Sequence, residues 1–176
     1  MKRLYILTIA ILINFNSLFA PELSDEQEKV KQVTKANIIR LDELMNAEFS
    51  SDALRELLVL LGAPSPEIAY KQARLESGNF TSRVFKEGNN LFGMHFPRIR
   101  DSYAHEYMIA DNGKKVAKYR SWQSSVLDLM LYFEYYESLG YDTSDYYQFL
   151  VDASYCEGSQ YVNILKSMSK VYYGIQ

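Results

Sequence analysis

Cysteine, proline and glycine are scarce in this chain of 176 residues. It has 1 cysteine, 4 prolines and 8 glycines, while 48% of its residues are apolar and 23% are charged. This composition excludes the collagen-like, low-complexity and disordered classes and predicts a globular core. The single thiol, Cys156, cannot form an internal disulfide, so stability must come from packing or from a reducing setting. Tyrosine, in contrast, is abundant: ten of the 15 tyrosines lie between Tyr132 and Tyr173.

The first twenty residues have the pattern of a secretory signal. Lys2 and Arg3 precede an apolar run over residues 4–13, and the segment closes with small and polar residues that end at Ala20. Polar residues interrupt the run, which falls short of the roughly 20 apolar residues that a bilayer span needs. We therefore predict a signal peptide over residues 1–20 and an exported protein, periplasmic or secreted, without a stable membrane span once processed. An uncleaved membrane anchor is the alternative.

The charge balance argues against nucleic acid as a partner. Removing residues 1–20 takes away two of the 19 basic residues and none of the 22 acidic ones, which leaves a net charge of −5. A negative protein does not capture a polyanion by electrostatic attraction.

Helix signals dominate both ends of the remaining sequence. Serine and proline at first-turn positions, glycine at ends and apolar residues at helical spacing mark the helices. We predict helices capped by Ser24 and by Ser51, and a third that starts at Ser65-Pro66 and ends near Glu76. A further helix is capped by Ser121, and two short ones follow Thr143-Ser144 and Gly158.

The middle of the chain predicts a β-hairpin. Between about Phe85 and Tyr119 the helical period is lost, and two short runs, 105–109 and 116–119, flank an Asn112-Gly113 turn. We predict one mainly α (α+β) domain over residues 21–176, with a small β lobe. Its N-terminal helical segment, residues 22–61, is an integral part or a regulatory cover. The first is favoured because its leucines need a partner face.

Glu76 is the most informative acidic residue. Gln72, Ala73 and Ala69 precede it by four, three and seven positions, so Glu76 shares a face that packs inward. A carboxylate in the last turn of a helix is disfavoured by ~0.3–1 kcal/mol, and partial burial acts in the same direction. Both effects raise its pKa, as a general acid requires. The alternative is a solvated carboxylate paired with Arg74 or Arg83.

The stretch Ala-Arg-Leu-Glu-Ser-Gly-Asn-Phe-Thr-Ser (73–82), followed by Glu-Gly-Asn-Asn-Leu-Phe-Gly-Met (87–94), resembles the signature of the bacterial glucosaminidases of glycoside hydrolase family 73. The likeness continues at residues 119–128 and at two tyrosines six residues apart, 155 and 161, and covers roughly residues 65–170. It implies a lysozyme-like fold and cleavage of β-1,4 bonds that follow N-acetylglucosamine in peptidoglycan. Glycan strands are the implied partner, no cofactor is implied, and we expect a monomer.

The resemblance also implies roles for individual residues. Glu76 matches the catalytic acid, and Tyr155 matches a catalytic tyrosine that faces it. The implied substrate-binding residues are Asn90, Phe92 and Gly93, in the loop that shapes the cleft with Leu91, together with Tyr119 and Tyr161. The chain departs from the family pattern at residues 156–159, and residues 96–102 have no clear counterpart.

The second catalytic group is left open. Glu106 on the first hairpin strand matches a base or nucleophile of some members, with Glu87 and Asp101 as rivals, and the acetamido group of the substrate could act instead. A catalytically weak or inactive wall-binding module is the second hypothesis.

Two other site classes are less favoured. His95 and His105 with Asp101 or Glu106 match no compact metal spacing, so we expect no metal site. Cys156 lacks the surroundings of a peptidase nucleophile.

Overall fold

The computed structural model describes residues 25–155 and 159–168. The chain divides into two compact units, Met1–Asp42 and Glu43–Gln176, and every predicted site residue belongs to the second unit. The signal peptide, the Ser24 cap and Cys156 lie outside the described residues. The interpretation of residues 21–176 as a single domain stays a prediction.

The described residues form seven helices and one antiparallel pair of strands. In chain order these are α1 Asp25–Met45, α2 Ser51–Leu60, α3 Pro66–Glu76, α4 Arg83–Gly88, β1 Glu106–Ile109, β2 Lys115–Lys118, α5 Trp122–Ser138, α6 Tyr146–Asp152 and α7 Ser159–Ser167. The prediction of a mainly helical protein with a small β-hairpin is confirmed. Within these residues, none of the helices combines the length and apolar character that crossing a bilayer demands.

Most predicted helix boundaries are confirmed, and one cap is corrected. Helix α3 begins with Pro66 at its first turn, and the Ser121 side chain caps α5 by accepting from Ser124 N. Helix α6 follows Thr143-Ser144 as predicted, with Asp145 as its cap, whereas α2 is capped by Ser50 rather than Ser51. Ser50 has extended backbone, and its side chain reaches a free N–H group of the first turn.

The β lobe contains a short helix that the sequence pattern did not predict. Ser82 caps α4 by accepting from Phe85 N, so the helical period returns for six residues before the hairpin. Arg83 of α4 donates to the Ile109 carbonyl (2.7 Å) and to Asp111 (2.9 Å), which fixes the hairpin tip against this helix. A six-residue helix has too few apolar repeats to produce a visible period.

The hairpin has the predicted partners and turn. Tyr107 pairs with Ala117 and Met108 with Val116, and Gly113 in the turn has φ +79°. The other edge of β2 pairs with the chain at residues 94–95, because Ala117 N donates to the Met94 carbonyl at 2.8 Å.

The core of the second unit is built from apolar faces of α2, α3, α5 and α6. Leu54, Leu57 and Leu58 of α2 are fully buried, as are Phe149 and the small residues of α3. At the start of α5 the buried side chains of Trp122 and Gln123 donate to the carbonyl groups of Leu44, in the last turn of α1, and of Ala47, just after it. Helix α3, which ends at Glu76, packs against α2 in this core.

Candidate active site

Glu76 stands at the last position of α3, where the chain turns sharply. The next turn has three consecutive residues in the left-handed region, Gly78, Asn79 and Phe80, with φ of +57°, +55° and +65°. Ser77 holds this turn, because its hydroxyl donates to the Ala73 carbonyl (2.6 Å) and accepts from Phe80 N (2.9 Å). Such backbone is costly for non-glycine residues and persists where surrounding contacts fix it. The turn therefore holds the end of α3, and with it Glu76, at a defined point.

A cleft of about 660 Å³ opens at this carboxylate. The hairpin and the chain that leads to it contribute polar and small residues, including His95, Asn112 and Lys114. The other lining residues come from α4, the loop after it, α5 and the C-terminal part, and they include Phe92, Gly93, Tyr132, Tyr136, Tyr155 and Tyr161. Among the residues that the structure describes, the cleft therefore combines a single carboxylate with five phenylalanine and tyrosine side chains.

Glu76 is held on both of its oxygens. The Tyr161 hydroxyl donates to Oε1 at 2.6 Å. Gly93 lies against the other oxygen: a Cβ on Gly93 would be 2.6 Å from Oε2, and the residue has φ +63°. Glycine is thus required here both for the left-handed backbone and for the close approach of the carboxylate.

Burial raises the pKa of Glu76 above its ordinary value of 4.5, and the hydrogen bond from Tyr161 opposes this shift without cancelling it. The direction agrees with the expectation from the sequence. It means that a larger fraction of the carboxyl groups carries a proton at mildly acidic pH than in a solvent-exposed glutamate.

Tyr155 and Tyr161 lie together in the cleft, with their ring centres 6.2 Å apart. The Tyr155 hydroxyl donates to the Phe92 carbonyl, which ties this tyrosine to the loop around Gly93. Burial, followed by the nearby Glu76 carboxylate, raises the pKa of both tyrosines. Both are therefore neutral phenols that can donate a hydrogen bond over the physiological pH range.

Asn90 organises the cleft loop. Its side chain is buried and donates to the carbonyls of Met94 and Ala117, both at 2.9 Å, and it accepts from Met94 N at 3.1 Å. These bonds join the loop to the hairpin, and they direct the Asn90 side-chain amide toward the protein interior. Contact between Asn90 and substrate stays a prediction, whereas Phe92 and Gly93 line the cleft.

Tyr119 lies behind the cleft in a buried polar cluster. Its side chain is 1% exposed, and its hydroxyl donates to Asp128 at 2.8 Å. Arg100 pairs with the same carboxylate at 2.8 Å and stacks over the ring of Tyr132, which does line the cleft. A direct substrate contact by Tyr119 stays a prediction, since the structure gives it a supporting position.

The Asp128 cluster explains how the segment without a family counterpart is held. Burial by itself would raise the pKa of Asp128, but hydrogen bonds from Arg100 and Ser102 bring it below its ordinary value. The family likeness over residues 119–128 includes Asp128, whereas no signal in the sequence indicated Arg100, its partner 28 positions earlier.

The candidates for a second carboxylate are not near Glu76 in the cleft. Glu106 is exposed and pairs with Lys118 at 3.2 Å across the hairpin. Glu87 pairs with Arg83 at 3.4 Å, and Asp101 is exposed. None of the three is among the described residues that line the cleft. The catalytic role of Glu106 stays a prediction.

No group of three potential metal ligands occurs among the histidine, cysteine, aspartate and glutamate side chains that the structure describes, those of residues 29–155 and 160–168. His95 lines the cleft by itself, and His105 lies at the base of the hairpin.

The fold and the site together define a helical domain that presents a half-buried carboxyl group to a cleft lined by several tyrosines. The family model described as mannosyl-glycoprotein endo-beta-N-acetylglucosaminidase, the Glucosaminidase family, matches residues 52–174. The match spans α2 through α7, with Glu76, the Gly93 loop and both cleft tyrosines inside it. The chain therefore belongs to the Glucosaminidase family, a family of glycoside hydrolases with a mainly helical, lysozyme-like fold. No curated protein and no solved structure matches the chain.

The match begins earlier than the resemblance over residues 65–170 and takes in nearly all of α2. The second part of the N-terminal helical segment thus lies within the family region, and the part before residue 52 lies outside it.

Proposed function

We propose that this protein is an exported peptidoglycan hydrolase that cleaves the β-1,4 glycosidic bond following N-acetylglucosamine. The observation that carries the proposal is the Glu76 carboxyl group, fixed between Tyr161 and Gly93 in an aromatic cleft with its pKa raised by burial. Export rests on the signal-like segment at residues 1–20, and a periplasmic or secreted location follows from it. The protein acts as a monomer.

In this mechanism Glu76 is the general acid. Its proton moves to the glycosidic oxygen as the bond to C1 breaks and positive charge develops on the sugar ring. The carboxylate that remains is stabilised by the Tyr161 hydroxyl at Oε1. Because that hydrogen bond strengthens as negative charge forms, it stabilises the transition state more than the ground state.

The substrate's own acetamido group is the nucleophile. Among the cleft-lining residues that the structure describes, no second aspartate or glutamate is in place to attack C1. The acetamido oxygen forms a bond to C1 while the leaving oxygen takes the Glu76 proton. Glu76 then removes a proton from the water that opens the resulting ring, which restores the acid.

The aromatic lining suits a neutral sugar chain. Tyr132, Tyr136 and Tyr155 contribute flat apolar faces with hydrogen-bonding tips and add no charge, as a glycan backbone requires. This gives part of the tyrosine excess a role.

The test is digestion of purified peptidoglycan by the full chain and by Glu76→Gln, with mass analysis of the soluble fragments. We expect reducing N-acetylglucosamine ends from the wild type and a loss of about 10³-fold or more in the variant. Glu106→Gln tests the predicted second carboxylate: it should keep its activity, because Glu106 is exposed and is not among the described cleft-lining residues, and a comparable loss there would contradict the acetamido nucleophile. Fragments with reducing N-acetylmuramic acid or anhydro ends would contradict the proposed bond or reaction.

A catalytically weak wall-binding module is the second candidate, and the single carboxylate in the described cleft is what favours it. It predicts that wild type and Glu76→Gln sediment equally with sacculi and that neither releases fragments.

A further inference from the structure

Gln72 is a buried polar residue one helical turn before Glu76. Its side chain is 0% exposed, although glutamine is usually at the surface. The Tyr146 hydroxyl, also buried, donates to Gln72 Oε1 at 2.6 Å. The proposed mechanism does not use this pair, yet it lies on the same helix face as the acid.

The other end of the Gln72 amide has an unused donor. Nε2 is buried and makes no hydrogen bond of normal length and angle with the residues that the structure describes. It is nevertheless near enough to the Tyr161 oxygen to lower the pKa of that phenol, against the stronger effects of burial and Glu76. Tyr161 in turn donates to Glu76 Oε1. A buried N–H without a full partner is costly and rare in a native core.

We propose that Gln72 is a positioning residue for Glu76: its carboxamide, fixed by Tyr146, directs an N–H at the Tyr161 oxygen and so holds the Tyr161 hydroxyl toward the carboxyl group. The chain Tyr146–Gln72–Tyr161–Glu76 runs from α6 through α3 and α7 back to the end of α3. Each hydroxyl in it has one proton, so an N–H arriving at the Tyr161 oxygen leaves that proton directed at Glu76. Its catalytic consequence rests on the proposed function.

The chain acts when Glu76 loses its proton. The Tyr161 hydroxyl then donates to a full negative charge, its oxygen becomes a better acceptor, and the Gln72 N–H completes its bond there. The other groups around Glu76 are Tyr155, with Tyr132 and Tyr146 behind it, while His95 and Lys114 line the cleft from the hairpin side.

The test uses the full chain with Gln72→Leu, which keeps the side-chain size and removes both polar ends. The ionisation of Glu76 is followed by NMR of ¹³C-labelled glutamate carboxyl groups, with its signal assigned by its absence in Glu76→Gln. We expect the Glu76 titration midpoint, and the alkaline limb of peptidoglycan digestion, to move up by about half a pH unit or more. The rate of digestion at the optimum should fall about threefold to tenfold.

Two variants separate positioning from general support. Gln123→Leu is the matched control, since Gln123 is another buried glutamine whose amide bonds the carbonyls of Leu44 and Ala47, away from the cleft. It should lower the melting temperature and leave the Glu76 midpoint unchanged. Tyr146→Phe removes the group that fixes Gln72, and should shift the midpoint in the same direction even where Gln72→Leu fails to fold.

A double-mutant cycle decides the route. In the Tyr161→Phe background, Gln72→Leu should no longer shift the Glu76 titration midpoint, because the hydroxyl that links Gln72 to Glu76 is absent. The proposal is overturned if that shift persists there, or if Gln72→Leu and Tyr146→Phe lower stability and leave the midpoint where it was. The NMR midpoint can be measured without turnover. A wild type that fails to cleave glycan therefore overturns the proposed function, while the titration still tests whether Gln72 positions Glu76.

Discussion

Replacing Gly93 by alanine would place a methyl group where the Glu76 carboxylate now lies. The added Cβ would be 2.6 Å from Oε2 and 3.3 Å from Cδ, whereas ordinary contacts begin at 3.4 Å. The carboxylate must therefore retreat by about 0.8 Å. It cannot do so freely, because Tyr161 holds its other oxygen at 2.6 Å.

The substitution has two effects of different size. Left-handed backbone costs an alanine ~1–2 kcal/mol relative to glycine, or about 2–8 °C in melting temperature for a chain of this length. Displacing the acid by nearly 1 Å costs about 10²-fold in kcat/KM, equivalent to ~2.7 kcal/mol of transition-state stabilisation. We therefore expect a larger loss of catalytic activity than of folding stability.

Gly62→Ala isolates the backbone effect. Gly62 has φ +67°, close to that of Gly93, and an added Cβ there meets nothing within 4 Å. Thermal unfolding and the initial rate of soluble fragment release should be measured for both variants. They should lose similar stability, and only Gly93→Ala should lose activity.

Activity of Gly93→Ala within about threefold of that of Gly62→Ala would mean that the carboxylate moves without consequence. Its contact with Gly93 would then not position it for proton transfer.

Further expectations concern the acid, the buried ion pair and the turn. Burial raises the pKa of Glu76, so this group favours the folded state below its ordinary pKa, and that contribution is lost as pH rises through the folded pKa. Thermal unfolding should therefore show Glu76→Gln to be more stable, relative to the wild type, at pH 7 than at pH 4. Asp128→Asn leaves Arg100 buried without its carboxylate and should lower the free energy of unfolding by ~3–5 kcal/mol in urea at pH 7. A change below ~1 kcal/mol would contradict a buried ion pair. Because the pKa of Asp128 is lowered, the wild type's advantage over Asp128→Asn is present above the ordinary aspartate pKa and should shrink as pH falls through the folded value. Ser77→Ala removes both hydrogen bonds of the turn after Glu76 and should cost ~1–3 kcal/mol, whereas an unchanged melting temperature would show that the turn is held by Phe80 packing.

Local signals in the sequence were enough for most of the helices and the hairpin. Proline at residue 66, serine at residue 121 and the Asn-Gly turn act through their own backbone and nearest neighbours, so their effect is visible in a short window. The corrected cap of α2 differs by one position, because Ser50 and Ser51 carry the same side chain and the backbone geometry selects between them. Helix α4 was missed because six residues carry little periodicity.

The acid was predictable and its surroundings were not. The spacing of Ala69, Ala73 and Glu76 on one helix indicates that the carboxyl group faces inward. The hydrogen bond from Tyr161 joins residues 85 positions apart, and no local pattern indicates it. The ion pair between Arg100 and Asp128 spans 28 positions and is equally hidden.

The sequence by itself determined four properties, because each follows from side-chain type and local spacing. These are the abundance of tyrosine, Glu76 at a helix end, glycine at position 93 and a hairpin between helical halves. Tertiary structure decided which tyrosines meet the acid, that Tyr119 lies behind the cleft, and that Glu106 pairs with Lys118 away from it. Those outcomes depend on how distant segments pack, and burial, hydrogen bonding and pKa shifts exist only once that packing has formed.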